Sequence, residues 1–486
     1  MLRPLRRLAL AVSVISGALF GVVQSSDALS TRSTPASCSP AWVAQSKSPI
    51  VVNFAEGMGR NPLGGSGNYG ALVSLIRAFN KLYAGKIIVN DLNVPGGSMQ
   101  TWNSYTAAIQ SQNSVPNLML FDQSNAQSAA DTGTILPIST CMNTTKFNRA
   151  PFLPKVLGAY ASGSSIIGMP FSVTVPVMLY NKQAFAQAKI SGPPNTMAKL
   201  IADQHLLQKT SWMNNGVKTM YANGVSITNS PWELTSWFGL NDQTMVNNGN
   251  GHARRASSTT LTAPDTVTYM DDLQQIAKNA SGANVYDASS APFTAAFGNI
   301  FDIVNGRAGI TFDSTATLHE LRGSLLVSKN VSLGVAKLPS ISGSARGSVP
   351  PNGNGLFINK SASSPQQVAA AWLFVQYLTS VNSLTAWDRD TGFLPIRTDE
   401  LSSWMKAIPS NQRPWFLVGY DSLTRGRVDF ATYGALLGPA AQVNNDLTSA
   451  LQVLLTAPFS TSAANDLAIA RTNANADITA YQALSL

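Results

Sequence analysis

Residues 49–122 contain the segments PIVVNFAEG (49–57), ALVSLIRAFNKLYAG (71–85), KIIVNDL (86–92) and NLMLFD (117–122). Apolar positions in the second segment recur at helical spacing, and Gly85 ends that helix. Residues 99–112 also have a helical pattern, whereas the other three quoted segments are short apolar runs typical of strands. The order β-α-β-α-β predicts an α/β fold built on a parallel sheet.

The same alternation continues towards the C-terminus. The segment GMPFSVTVPVMLYNKQAF (168–185) is rich in strand-forming residues. Helices are predicted over residues 196–210, 264–280 and 364–380, and two more over 438–484. Further strands are predicted at 308–314, 333–339 and 355–360. A length of 486 residues with 44% hydrophobic residues suits a globular protein of two or three domains.

Basic residues exceed acidic ones but are spread thinly. The formal net charge is +9, although only 12% of residues are charged. Beyond the N-terminus the densest basic groups are Arg254 with Arg255 and Arg425 with Arg427. Nucleic-acid binding requires cations clustered on one face. The sequence therefore predicts no nucleic-acid partner.

Residues 1–30 have the features of a signal peptide. The basic segment LRPLRR (2–7) precedes the apolar run LALAVSVISGALFGVV (8–23), and small residues follow at Ala28 and Ser30. Residues 31–48 form a polar lead-in. We expect an exported protein at the periplasmic or extracellular face of the membrane. An uncleaved membrane anchor is the alternative, and no other stretch is apolar enough to span a bilayer.

The chain has two cysteines, Cys38 and Cys141. An even number of cysteines in an exported protein favours a disulfide between them. The alternative is a lipid anchor on Cys38. It is disfavoured because Pro35 occupies the position where a lipid-attachment motif has leucine, and because the apolar run ends well before it.

Motifs for catalysis or metal binding are lacking. No HExxH or GxSxG motif occurs. The three histidines are His205, His252 and His319, and no two of them have the spacing of a metal-ligand pair. A G-x-G-x-x-G pattern is formed by Gly65, Gly67 and Gly70, but the preceding strand ends too early for a dinucleotide-binding turn. We expect no enzymatic activity, no cofactor and no metal. A secreted carbohydrate-active enzyme is retained as the alternative.

Four segments carry a resemblance to a known family. They are WDRDTGFLPI (387–396), MPFSVTVPVMLYNKQAF (169–185), FGNIFDIVNGRAGITFDST (297–315) and PNGNGLFINK (351–360). These segments resemble blocks of the extracellular solute-binding proteins of ABC importers, in the branch that contains the glycerol-3-phosphate-binding protein and many sugar binders. The first segment is the most specific, since it is similar to a W…TGYLPI block. The resemblance covers nearly all of residues 49–455.

The resemblance implies an α/β, two-lobed, periplasmic-binding-protein-like fold of type II, with the ligand cleft between lobes joined by a hinge. We expect residues 49–150 and about 305–390 in lobe 1, and about 151–304 and 391–486 in lobe 2. Such lobes close over a ligand by hinge motion.

The resemblance also implies a set of cleft residues. Asp122 matches a carboxylate that accepts ligand hydroxyl protons, and Trp232 falls near a tryptophan that stacks on the ligand. Core packing for Trp232 and helix capping for Asp122 are the alternatives. The other positions carried over are Gly97, Ser98, Ser172, Thr174, Ser314, Thr315, Gly353, Asn354, Gly355, Phe393 and Thr432. The turn at residues 353–355 and the ring of Phe393 have purely structural alternatives.

Two positions depart from the family pattern. Phe393 replaces a tyrosine and lacks its hydroxyl, and Thr432 aligns with the family's phosphate-binding arginine. Arg425 and Arg427 lie a few residues away and are the candidates to replace that arginine. Because a bidentate arginine is a natural phosphate ligand, a neutral sugar or a glycerophosphodiester is favoured over glycerol-3-phosphate itself.

The resemblance thus implies the substrate-binding subunit of an ABC importer. We expect a monomer that captures a sugar, polyol or glycerol-phosphate-like solute outside the membrane and delivers it to the permease subunits.

Overall fold

The computed structural model describes residues 38–59, 67–111, 114–214, 217–221, 223–280, 285–286, 298–321, 331–341, 343 and 345–484. The predicted signal peptide lies outside the described residues, as do most of the polar lead-in and Gly65 of the glycine motif.

The strands within the described residues are, as β1 to β15, Ile50–Glu56, Ile87–Asn93, Leu118–Asp122, Ile135–Leu136, Ala161–Ser162, Ser165–Ile166, Met169–Thr174, Pro176–Asn181, Ser211–Asn214, Val217–Met220, Gly224–Thr228, Val285–Tyr286, Ala308–Ser314, Leu333–Ala336 and Asn352–Asn359. The strands predicted near the N-terminus correspond to β1, β2 and β3.

The helices within the described residues are, as α1 to α19, Ala41–Ala44, Gly67–Leu82, Gly97–Gln110, Ala126–Asp131, Ile138–Thr144, Pro154–Gly158, Lys182–Gln187, Met197–Gln208, Pro231–Leu240, Asn247–Asn250, Pro264–Asn279, Gly298–Val304, Thr315–Leu321, Pro365–Leu378, Val381–Thr391, Leu401–Ala407, Arg413–Thr424, Ala440–Leu455 and Ala463–Leu484. A short 3₁₀ helix, Gln123–Asn125, follows β3.

The first lobe is built on a sheet with the strand order β2-β1-β3-β15-β4, and β7 also pairs with β15. Strands β1, β2 and β3 run parallel, as the sequence predicts, whereas β15 runs antiparallel to β3, β4 and β7. The sheet is therefore mixed. Helix α2 buries Leu72, Leu75, Ile76 and Phe79, whose spacing gives it one apolar face.

The second lobe is built on a sheet with the order β12-β11-β13-β8-β14. Strand β11 is parallel to β12 and β13, and β8 is antiparallel to both β13 and β14. Its core includes Trp237, which stacks on Tyr269 at 4.6 Å between ring centroids. Two mixed sheets with helices on them form the two-lobed α/β fold that the family resemblance implies.

The chain passes between the sheets at two points that matter for the cleft. Only Val175 separates β7 of the first sheet from β8 of the second, and β15 returns the chain to the first sheet at Asn352. The predicted lobe bounds place residues 305–390 in lobe 1, but β13 and β14 pair within the second sheet. The return crossing therefore comes later than expected, because periodicity identifies a strand without identifying its pairing partner.

The described N-terminal segment is attached to the first lobe. A disulfide joins Cys38 to Cys141 in α5, and both residues are fully buried. Helix α1 packs against α14, which itself contacts β1. In the described part of the chain, every helix falls short of the length and hydrophobicity that a membrane crossing requires.

Candidate functional site

A cleft of about 890 Å³ lies between the two lobes. The first lobe contributes the start of α3 and the residues that follow β3, and the second lobe contributes the start of α9. The rest of the lining comes from residues 350–352, from the segment before α18, and from α18 and α19. A concave site shared by two lobes is the usual place for a small-molecule ligand.

Two close backbone approaches place the start of α3 at the cleft. Gly97, the first residue of α3, has a φ of +83°, which glycine adopts without strain. A Cβ on Gly57, just after β1, would lie 2.4 Å from the carbonyl of Gly97. Glycine at position 57 therefore lets β1 and α3 approach closely. This packing brings Ser98 and Trp102 to the cleft.

Asp122 lines the cleft at the end of β3. Its Oδ1 accepts hydrogen bonds from the Ser124 backbone N–H at 2.9 Å and from the Ser124 hydroxyl at 2.6 Å. Burial raises the pKa of Asp122, and the two Ser124 bonds oppose that rise. No donor among the described residues reaches Oδ2. The residue thus caps the 3₁₀ helix with one oxygen and leaves the other as an acceptor for a ligand.

Two tryptophans line the cleft from opposite lobes. Trp102 packs edge-on against Phe121 at 5.2 Å, which fixes its ring on the first lobe. Trp232 is the second residue of α9, and its Nε1 is buried without a hydrogen-bond partner among the described residues. An indole N–H normally finds an acceptor when it is buried. Trp232 therefore combines a ring face with an unused donor at the cleft.

Among the described residues, the charged side chains that line the cleft are Asp122 and Asp131, and none is a lysine or arginine. The arginines that the sequence offers as phosphate ligands are paired elsewhere. Arg425 pairs with Asp421 at 3.1 Å, and Arg427 pairs with Asp242 and Asp429. The cleft is consequently polar and acidic rather than basic.

Of the positions predicted from the sequence, Ser98, Asp122 and Trp232 line the cleft, and Gly97 adjoins Ser98. Residues 353–355 lie within β15 instead of a turn, and their neighbour Asn352 is the lining residue. The backbone N–H of Asn354 donates to the Ser172 hydroxyl at 3.3 Å. These residues therefore join strands of the first sheet, because β15 and β7 pair along their length.

The other predicted positions lie outside the lining. The hydroxyls of Thr174 and Thr315 hydrogen-bond to each other at 2.8 Å in a buried position, and Ser314 accepts from the Thr317 backbone N–H at the start of α13. Phe393 stacks on Trp387 at 5.7 Å, and Thr432 is bonded to Asp429 within its own turn. Their contribution to binding stays a prediction.

Several lining residues were not predicted. Met99 and Trp102 follow Ser98 in the same helix, so the prediction of Ser98 as a cleft residue already indicated their region. Tyr481 in α19 also lines the cleft. Nothing in the local sequence of α19 indicates this, since its contact with Asp131 joins positions 350 residues apart.

No group of three or more histidine, cysteine or acidic side chains gathers at metal-binding distance within the described residues. The Asp131 carboxylate accepts hydrogen bonds from Gln127 at 2.7 Å and from Tyr481 at 2.9 Å, besides its ion pair with Arg255. Glycoside hydrolysis uses a pair of carboxyl groups that flank the scissile bond. In Asp131 both oxygens accept hydrogen bonds from neighbouring side chains, whereas Asp122 keeps Oδ2 for a ligand.

Comparisons with known proteins agree with this geometry. The sn-glycerol-3-phosphate-binding periplasmic protein of Pectobacterium atrosepticum is 26% identical over 342 residues, which cover 68% of this chain and 70% of that protein. The GacH receptor of Streptomyces glaucescens shares the fold with a TM-score of 0.67 at 15% identity, covering 89% of this chain and 99% of that one.

The UgpB protein of Mycobacterium tuberculosis, solved with glycerophosphocholine, shares the fold with a TM-score of 0.65 at 17% identity, covering 90% of this chain and all of that one. The model of one family, described as bacterial extracellular solute-binding proteins, matches residues 74–411. The family resemblance and the two-lobed α/β fold expected from the sequence are confirmed. This chain belongs to the family of bacterial extracellular solute-binding proteins.

Proposed function

We propose that this protein is the substrate-binding subunit of an ABC importer and that its ligand is an uncharged sugar or polyol. The family is extracellular, and the chain is accordingly an exported protein that works outside the cytoplasm. Members of the family bind solutes rather than convert them. For this chain we propose in addition that the ligand carries no charge.

The observation that carries the proposal is an acidic cleft with aromatic rings on both lobes. Asp122 offers one carboxylate oxygen, and Trp102 and Trp232 offer ring faces. A carboxylate forms directional, charge-assisted bonds with hydroxyl groups, and an aromatic ring covers the C–H face of a sugar or polyol. A phosphate would meet the Asp122 carboxylate with no lysine or arginine in the described lining, and Arg255 is already paired with Asp131, which favours an uncharged ligand.

The relatives allow two ligand classes. One is named for sn-glycerol-3-phosphate, and solved neighbours hold acarbose or glycerophosphocholine. The cleft volume of about 890 Å³ is large for a three-carbon phosphate, whereas drug-sized ligands occupy sites of roughly 300–1,000 Å³. Size and charge together support the saccharide class for this chain.

We further infer that the protein acts as a monomer and that permease subunits recognise its closed form. Closure places both lobe surfaces in one fixed arrangement, which a membrane partner can distinguish from the open form. Crosslinking the protein to reconstituted permease with and without a bound saccharide tests this partner.

The ligand is tested by thermal unfolding and calorimetry of the exported chain with neutral mono-, di- and trisaccharides, glycerol-3-phosphate and glycerophosphocholine. Ligand at about a hundred times its Kd adds about 2.7 kcal/mol to stability. We expect a neutral saccharide to raise the Tm and to be recovered unchanged. A shift with glycerol-3-phosphate alone would overturn the ligand class, and consumption of the saccharide would favour the enzyme alternative.

Variants connect binding to the cleft. Asp122→Asn is expected to weaken saccharide binding about tenfold to a hundredfold, since bonds to a charged acceptor contribute about 1.5–3 kcal/mol. Trp232→Ala is expected to weaken it about tenfold or more. Asp271→Asn, at an exposed carboxylate of α11 outside the lining, is the matched control and keeps the wild-type Kd. Equal affinities for Asp122→Asn and the control would remove Asp122 from the site.

A further inference from the structure

Asp131 occupies an unusual position between the lobes. It is the last residue of α4, which follows β3 and contacts β4 of the first sheet. Its carboxylate meets Arg255 and Tyr481, which belong to the second lobe. Arg255 lies in the segment leading to α11, and Tyr481 lies in α19, which packs on α11. We call Asp131, Arg255 and Tyr481 the interlobe cluster.

The carboxylate of Asp131 is enclosed by its donors. The Arg255 guanidinium pairs with Oδ1, the Tyr481 hydroxyl donates to Oδ2 at 2.9 Å, and the Gln127 amide donates to Oδ1 at 2.7 Å. The Asp131 side chain is only 5% exposed, whereas that of Arg255 is 44% exposed. Gln127 is one helical turn before Asp131, so the first lobe orients the carboxylate by itself.

The second-lobe side of the cluster is assembled independently of Asp131. The Gln482 amide donates to the Ala256 carbonyl at 2.7 Å, and the Thr259 backbone N–H donates to Asn475 Oδ1 at 2.7 Å. These bonds hold the Arg255 segment against α19. Nearby, His252 also bonds to the Ala161 carbonyl at 2.7 Å, so the same segment meets the first lobe at a second point.

The cluster adjoins the cleft. Asp131 and Tyr481 both line it, as do Ser128 and Gly438, whose hydroxyl and carbonyl form another bond between α4 and the C-terminal region. All of these contacts join the two lobes beside the cleft. None of them requires a ligand.

We propose that the interlobe cluster stabilises the closed arrangement of the lobes and that Asp131 is its positioning residue. Ligand capture then depends on Asp131 although its oxygens are already occupied. The inference rests on the proposed function in one respect, namely that the lobes close when the solute is bound. Because the Arg255 partner is half-exposed, the ion pair is screened by salt and its effect is moderate.

The test measures the distance between the lobes without ligand. Spin labels are placed on Arg77→Cys in α2 and Gln275→Cys in α11, both at exposed positions of different lobes. The natural cysteines are joined in a disulfide and do not react. Pulsed EPR of the full exported chain then gives the populations of short and long distances.

We expect Asp131→Asn to raise the ratio of open to closed molecules about threefold to fivefold, in line with a partly exposed ion pair. Arg255→Gln is expected to have the same effect, and the double variant is expected to add nothing further. Salt at 1 M, on the order of ten times that of a standard buffer, opens the wild type but leaves Asp131→Asn unchanged.

Asp390→Asn is the matched control, because it breaks the exposed pair of Asp390 with Arg389 inside one lobe. It keeps the wild-type distances. Identical distance distributions for wild type and Asp131→Asn, with equal Tm values, would overturn the proposal. A result in either direction stands apart from the ligand assay, since no ligand is present.

Discussion

Asp388 and Glu400 form a buried pair of carboxyl groups where α15 and α16 are in contact. Asp388 is 1% exposed on α15, and Glu400 is fully buried at the start of α16. Burial raises the pKa of Asp388 to about 8. Burial, together with the charge of Asp388, raises the pKa of Glu400 to about 11, and Arg397 opposes part of that rise. At neutral pH the pair therefore holds a proton that each carboxyl group would lose in the unfolded chain.

This pair predicts that stability falls as the pH rises. Unfolded carboxyl groups titrate near pH 4, so their contribution is complete below that pH and is lost as the pH rises through the raised pKa values of about 8 for Asp388 and about 11 for Glu400. The loss is at most about 1.4 kcal/mol per pH unit for each retained proton. The variant Glu400→Gln keeps an N–H donor next to Asp388 and removes the titrating carboxyl group at position 400. In urea unfolding at pH 5 and pH 8, this variant should lose at least about 1 kcal/mol less than the wild type.

The control for this pH series is Asp390→Asn, an exposed acid on the same helix. Its stability should follow the wild-type curve at each pH. A Glu400→Gln curve parallel to the wild type would contradict a shared proton in the buried pair.

At the scale of elements, helix α14 shows how one cap connects a helix to a sheet. The Ser364 hydroxyl accepts from the Gln367 backbone N–H at 3.2 Å, and Gln367 Oε1 accepts from the Ser364 backbone N–H at 3.0 Å. The Gln367 amide also donates to the carbonyl of Val51 in β1 at 3.1 Å. The capping box thus fixes both the start of α14 and its position on the first sheet.

Ser364→Ala is expected to reduce the free energy of unfolding by about 1 kcal/mol, the usual cost of removing such a cap. Chemical denaturation at constant pH measures the change. Ser449→Ala makes the same substitution at an exposed position inside α18 and should stay within about 0.5 kcal/mol of the wild type. Equal stabilities for both variants would show that the cap contributes nothing.

The same helix illustrates what a sequence reveals. Ser364, Pro365 and an apolar periodicity predicted α14, because capping and amphipathicity are local properties. The strand character of β13 and β15 was equally local and was predicted. Their assignment to different sheets was not, since it depends on pairing between distant segments. Local patterns therefore predicted the helices and strands, but the predicted return of the chain to the first lobe came too early in the sequence.

The site divides in the same way. Asp122 follows a buried strand that opens towards the cleft, and its position was predicted from that strand and from the family resemblance. Tyr481 reaches the cleft only because α19 packs across the second lobe. Phe393 and Thr432 were predicted from aligned motifs; they contact Trp387 and Asp429 outside the described lining, and their contribution to binding stays a prediction. A motif indicates the region of the chain that forms the site, whereas the packing of distant segments decides which side chains line the cleft.

At the scale of the whole molecule, the disulfide closes a long loop. Cys38 and Cys141 are separated by 103 residues, and both are buried. In the chain-entropy account, a loop of that length restricts the unfolded chain by about 4.7 kcal/mol. We expect the Cys38→Ser, Cys141→Ser double variant to lose about 2–5 kcal/mol of stability in denaturant titrations.

Reduction provides the control for this prediction. Dithiothreitol should lower the stability of the wild type to that of the double variant and should leave the double variant itself unchanged. A double variant as stable as the oxidised wild type would contradict a stabilising role for the crosslink.

The central position of β15 has a consequence for how the protein matures. This strand lies between β3 and β4, yet it is synthesised only after the strands of the second sheet. The first sheet cannot be completed until that late segment arrives, and pairing between such distant segments forms slowly. The strand order thus makes the first sheet, which begins at β1, the last of the two to be completed during synthesis.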